Sequence, residues 1–390
     1  MAPTAVKWVR RVALTLLLLG CSERPPTDAA PRTWTATEQW RADGSGDGAP
    51  FTDLRDFVVN TDGVVWALDF EEQRIRRFGP DGQTLPSVAR RGAGPGELMG
   101  ANGLLAVGDG TVWVHDRGNG RVSVFDASGT YLRQHLLAIG DFWMRWDAWR
   151  DRRTGEIVDP FAERATNGAR SIRRWRRLAL DGSVRDTLAI PSCQRGEEPP
   201  FAFYDGVSPD GSTSMWEYYP FTNGGGTAPD GQGGLWCAVN SSTAAVRVRI
   251  GTNDTIAQTF PPLAAVAVST NERRRAIAVA ESLLRPFPKN TFDAAKIPTT
   301  KPAIALLSVD DEGRLWVQHA APFPDTSVTF DVHDSTGAPL GRLTIPHRAS
   351  ATGLAVRARA MDLWIALRDE DDVVSIVRYR LARDERAPRP

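Results

Sequence analysis

The residue types best suited to chemistry are concentrated at 142–150, where Phe-Trp-Met-Arg-Trp-Asp-Ala-Trp-Arg runs without a glycine or proline. In an extended chain, successive side chains face opposite ways. Phe142, Met144, Trp146 and Ala148 then share one face, and Trp143, Arg145, Asp147 and Trp149 share the other. Two indoles interleaved with a guanidinium and a carboxylate supply flat apolar surface, a cation and an acceptor, a set able to stack on a sugar or grip a peptide. These four are the candidate ligand-binding residues, and packing between sheets is the competing use of the same aromatics. A second aromatic group, from Phe201 through Tyr204 and Trp216 to Phe221, lies among prolines and glycines and reads as loop.

Nucleophilic and metal chemistry find less support. The chain has no Gly-x-Ser-x-Gly, His-Glu-x-x-His or Cys-x-x-Cys, the spacings that serine hydrolases, zincins and thiol redox sites use. Residues 92–96 are glycine-rich, but Pro95 removes an amide donor and no Lys-Ser/Thr follows to complete a phosphate cradle. The histidines, His115, His135, His319, His333 and His347, are dispersed. The acidic run 369–372 lacks the glycine and spacing of a calcium loop and reads as a solvated turn. No catalytic residue, metal ligand or cofactor is assigned. Formal net charge is +0, so no basic excess points to nucleic acid.

The scaffold for these residues repeats itself. Asp62-Gly63-Val64-Val65-Trp66-Ala67-Leu68-Asp69, followed by Arg74 and Phe78, returns 47 residues later as Asp109-Gly110-Thr111-Val112-Trp113-Val114-His115-Asp116, followed by Arg121 and Phe125. Short alternating strands with turn residues at a period of about 40–50 residues mark a propeller blade. Asp-Gly supplies the turn. Asp69 and Asp116 stand five residues before Arg74 and Arg121, which suggests structural turn caps in which each acid pairs with its arginine. Residues 57–130 resemble NHL-type repeats: a glycine-rich loop, a strand, an Asp-Gly turn, a strand, an Asp-x-x-Asn-x-Arg turn and a strand.

Weaker copies continue the pattern. The expected fold is all-β, a six-bladed propeller with blades centred near Trp66, Trp113, Trp146, Trp236, Trp316 and Trp364. A turn-and-strand signal at 209–216 allows a seventh, but lies so close to Trp236 that both are assigned to one enlarged blade. Residues 33–40 are expected to complete the last blade and remove its exposed edge. Ser269 and Glu272 have capping-box spacing, and Ile277, Ala280 and Leu284 share one face of a helix over about 271–285. That helix is an insertion, either a lid over a pocket or a buttress, and is similar to helices in bacterial six-bladed lipoprotein propellers.

The N-terminus carries an address. Lys7, Arg10 and Arg11 precede a short apolar core that ends in Leu18-Leu19-Gly20-Cys21, the layout of an export signal. The last four residues resemble a bacterial lipobox, which implies cleavage before Cys21 and its lipidation. The expected organisation is a signal peptide at 1–20, lipidated Cys21 and a tether to 32, one propeller at 33–385, and a disordered tail at 386–390. In an exported chain, Cys193 and Cys237 are a disulfide candidate, with buried free thiols as the alternative.

These features read together as a lipid-anchored extracytoplasmic propeller, membrane-bound through its N-terminal lipid, that binds a protein, peptide or glycan without catalysis. Resemblance to NHL-type and lactonase-like propellers implies the alternative, a hydrolase or lyase with a divalent metal in the central channel. A third reading is a scaffold subunit of an envelope assembly.

Overall fold

The computed structural model describes residues 32–137, 145–163, 172–191, 203–222, 226–238, 243–261, 263–349 and 353–383. The first repeat forms an antiparallel four-stranded sheet, Leu54–Val59, Val65–Asp69, Arg74–Phe78 and Thr84–Val88. The second forms Ala101–Ala106, Val112–Asp116, Arg121–Phe125 and Tyr131–Leu136 in the same order. The Asp-Gly dipeptides turn these hairpins. Gly63 and Gly110 sit at φ 84° and 89°, where a Cβ would be strained, and the Asp62 and Asp109 carboxylates accept the amides two residues on.

Two more four-stranded sheets follow. One comprises Trp149–Arg150, Ile157–Glu163, Ile172–Leu178 and Val184–Leu188; the other comprises Thr227–Pro229, Gly234–Ala238, Ala245–Arg249 and Thr255–Thr259. The last sheet has nine strands and contains a four-strand run and a five-strand run whose first two strands are short. The first of these is Ile304–Val309, Leu315–His319, Val328–His333 and Pro339–Ile345. The second enters through Arg348–Ala349 and Arg357–Arg359, continues through Asp362–Arg368 and Val374–Arg383, and ends on Thr33–Ala42. The N-terminal strand therefore pairs antiparallel with the last one, from Trp34↔Arg383 to Ala42↔Ile376. Trp34 is buried edge-on against Trp316. The first and last described strands thus close the ring of a β-propeller.

A register rule explains the repeated tryptophan. The pairs Val58↔Trp66, Leu105↔Trp113, Ala228↔Trp236 and Ser308↔Trp316 occupy the same place in their sheets, with the indole on the second strand. All four indoles are fully buried between sheets. In the third sheet the corresponding pair is Trp149↔Val158, so the bulk has crossed to the first strand. Trp146 is therefore not the tryptophan of its sheet: it precedes the first strand, where its backbone amide bonds Asn102 of the sheet before.

The inserted helix spans Thr270–Leu284, and Ser269 closes the expected capping box with Glu272. Its Ala280 and Leu284 bury against Tyr204, Tyr219 and Ile297, with Ile277 and Phe292 packed around them. The 209–216 signal belongs here and not to an enlarged Trp236 blade. Phe203–Val207 pairs with Ser214–Tyr218 and with Lys289–Asn290 in a separate three-stranded sheet. The hairpin signal was local, and Thr227–Pro229 already occupies the edge beside Trp236. Val266–Ala267 pairs with Thr300–Lys301 and clasps the base of the insertion. Among the described residues, no helix is long and apolar enough to cross a membrane.

Candidate functional site

The repeated acids and arginines hold turns. Asp116, fully buried, accepts the Met99 amide at 2.8 Å and the Asn119 side chain at 2.6 Å. Arg121 lies 3.6 Å from Asp116 and donates to the carbonyls of Gly94 and Glu97, while Asn119 donates to Gly92. The Asp-x-x-Asn-x-Arg turn thus docks the glycine-rich loop of its own repeat. Gly118 must lack a side chain, because a Cβ there would fall 1.4 Å from the Met99 carbonyl. Asp69 likewise caps Thr52, at 2.9 Å, but its ion-pair partner is buried Arg76, at 3.7 Å. Arg74, the expected partner, is half exposed and turns to Asp47 and Glu72, because the 3-10 turn Ser45–Asp47 reaches over it.

The four candidate binding residues do not form a shared face. Trp143 lies outside the described residues, and residues 145–148 are not strand. Trp149 packs edge-on to Trp175, at 4.8 Å, in the core between the third and fourth sheets. Arg145 and Asp147 pair at 2.9 Å and meet Asp56 and Arg357, from the inner strands of the first and last sheets. Arg145 also donates to the Gly353 carbonyl at 3.3 Å. Asp56 accepts the Leu104 amide at 2.8 Å and lies 3.6 Å from Arg357. Burial is the largest influence on both partners and wins: it pushes the Asp56 carboxyl up despite the arginines, and the Arg357 guanidinium down despite the acids. Two carboxylates and two guanidiniums therefore neutralise one another and tie sheets together.

Four of the histidines are committed to packing or surface bonding. His115 stacks on Trp146 and bonds Asn102 at 2.6 Å; burial pushes its pKa down to about 3. His135 lies against Trp113, and His333 bonds Thr259 and Gly337. His347 meets Arg41 at the surface. His319 differs because it lines a cleft of about 480 Å³ between the inserted helix and the ends of the last two strand runs. A small-molecule site of this kind typically measures about 300–1,000 Å³.

The cleft is built from elements distant in sequence. Asp331 accepts from His319 Nε2 at 2.9 Å and is itself clamped by Arg342 at 2.7 and 3.0 Å. Burial pushes the Asp331 carboxyl up, but His319 and Arg342 outweigh it and hold the group below its ordinary value. With Nε2 engaged by Asp331, the Nδ1 edge of the ring is the one left for a further hydrogen bond. On the helix side, Lys301 pairs with Glu272 and donates to Ala321 at 2.6 Å. Arg275 sits 5.0 Å from the Phe323 ring. On the strand side, Arg348 reaches Asp325 and Asp372, and Arg368 also reaches Asp372. The acidic run 369–372 therefore supplies a counterion. The helix is a buttress along its Ala280–Leu284 face and a cleft wall at its first turn.

None of these cleft residues stood out in the sequence. A usable signal was present, since the tight turns at 70–73 and 117–120 are replaced after His319 by a proline-containing connection at 320–327. A second cavity, about 50 Å³ between the first and last sheets, has room for little more than water. Among the described residues, no three His, Cys, Asp or Glu side chains converge as a metal site. Cys237 is buried and disulfide-bonded, and Cys193 lies outside the described residues.

No protein-family model and no curated protein matches the chain. Among solved structures, virginiamycin B lyase from Staphylococcus aureus is 12% identical, covering 90% of this chain and 100% of its own, with a TM-score of 0.39. Regucalcin, a calcium-binding protein from Agrobacterium tumefaciens, is 12% identical over 90% and 96% of the two chains, with a TM-score of 0.42. A gluconolactonase from Xanthomonas campestris is 15% identical over 92% and 99%, also with a TM-score of 0.42. All three are β-propeller proteins.

Proposed function

We propose that this protein is a six-bladed, lipid-anchored extracytoplasmic propeller with NHL-type repeats that binds a small ligand in the cleft beside its inserted helix. One observation carries the reading: a cleft of about 480 Å³ whose walls bring His319, Arg275 and Lys301 together from separate elements. The cluster around Asp56 borders a cavity of only about 50 Å³, lined by Arg357. Screening a small-molecule panel by ligand-observed NMR against wild type and Arg275→Glu tests the reading. Hits lost in the variant at unchanged melting temperature support it; hits that all persist overturn it.

Acid–base catalysis in the same cleft is the second reading, favoured by the His319–Asp331 pair. Asp331 bonds His319 Nε2 and orients the imidazole, the arrangement a general base requires. Chemical turnover of a bound ligand that stops in His319→Gln, with binding retained, would support this reading. Turnover unchanged in that variant would remove it.

Anchoring rests on the lipobox-like residues ending at Cys21, and palmitate labelling lost in Cys21→Ala is its test. With Cys21 used for lipid, Cys193 is the remaining partner for the Cys237 bridge. Non-reducing peptide mapping should recover the two cysteines in one linked fragment.

A further inference from the structure

Resting on the cleft reading, we infer that the ligand is an acidic saccharide of about disaccharide size, with its carboxylate on Arg275 and a ring hydroxyl on His319. Charge bookkeeping within the cleft selects the carboxylate. Lys301 is matched by Glu272, and Arg348 and Arg368 share Asp325 and Asp372. Arg275 makes no ion pair among the described residues; its one recorded contact is the Phe323 ring. One guanidinium is thus left for one external anion, held over the Phe323 ring at the exposed rim of the cleft.

The remaining lining selects a hydroxylated body. With Nε2 on Asp331, His319 offers its Nδ1 edge, and Gln318 and Ser327 add polar groups that can donate or accept. Phe221 and Pro302 add flat apolar surface to the same cleft. Sugar rings combine these needs, because their C–H faces stack on such surfaces while their hydroxyls hydrogen-bond at the edges. An aliphatic diacid would leave His319 and Gln318 without partners, and a neutral sugar would leave Arg275 without one.

The test is titration calorimetry of the full-length protein in detergent with digalacturonate, with maltose and glutarate as size and charge controls. Digalacturonate should bind with Kd below about 1 mM, and each control about tenfold or more weakly. Arg275→Ala should raise the digalacturonate Kd about tenfold, and His319→Phe should also weaken it. The melting temperature of Arg275→Ala should stay unchanged, since Arg275 is exposed. Maltose binding as tightly as digalacturonate would overturn the acidic part of the inference. Glutarate binding as tightly, with the same Arg275 dependence, would overturn the saccharide while leaving the cleft reading intact. Digalacturonate binding that neither variant changes would overturn the inference and the cleft reading together.

Discussion

The cluster around Asp56 and the cleft around His319 use the same residue types to opposite ends. In the first, Asp56 and Arg357 from the first and last sheets meet Arg145 and Asp147 from the segment before Trp149, and the four charges cancel. In the cleft, the acids likewise occupy Lys301, Arg348 and Arg368, but Arg275 and the Nδ1 edge of His319 remain available to a ligand. A cluster of charges therefore does not identify a site. What separates the two regions is whether the pairing is complete, and whether there is room beside it for another molecule.

Substitutions sharpen this contrast by separating folding from binding. The largest expected effect is at the core between the third and fourth sheets. Trp149→Ala should destabilise the fold by about 3 kcal/mol in urea denaturation, since its half-buried ring packs on buried Trp175 between two sheets. A stability change below about 1 kcal/mol would show that Trp149 is not core. Asp56→Ala comes next, at about 3 kcal/mol. It strips the Arg357 and Arg145 guanidiniums of a buried counterion, and the 34% exposure of the Arg357 side chain places the cost at the low end.

Smaller effects follow. His115 has a folded pKa lowered to about 3 from 6.5. Below pH 6.5 the unfolded chain takes up a proton that the folded imidazole refuses, so stability falls as pH falls toward 3. Between pH 7 and 5.5, wild type should lose about 1 kcal/mol more than His115→Gln; identical pH slopes would contradict the burial. Ser269→Ala should cost about 1 kcal/mol by opening the capping box, and the change should localise to the insertion in hydrogen exchange. Arg275→Ala should change stability by less than about 0.5 kcal/mol, whatever it does to binding. A large loss of stability there would collapse the distinction between the two regions.

Local features were legible in the chain. The turns at Asp62-Gly63 and Asp109-Gly110, the strand cores around Trp66 and Trp113, and the helix start at Ser269 all follow from neighbours a few residues apart. Residues 142–150 misled for the same reason. Their alternation was read as a strand with two faces, but Arg150 and Trp149 alone of the described residues there are strand. Pairing with Val158 then turned Trp149 into core. The Asp69–Arg74 pair failed because a loop from earlier in the chain placed Asp47 closer to Arg74.

The sequence by itself determined a repeating unit, and with it the ring, because hairpins and half-buried strands are written in residue types at short range. It also determined the closing role of residues 33–40, since an unpaired edge strand must find a partner. Tertiary structure alone decided which of five histidines faces a cleft and which tryptophan moved to the neighbouring strand. It also decided which arginine of the cleft is left without an acid. Each depends on side chains brought together from distant segments, as His319 and Glu272 are. Spacing along the chain carries no record of which charges will meet when the ring closes.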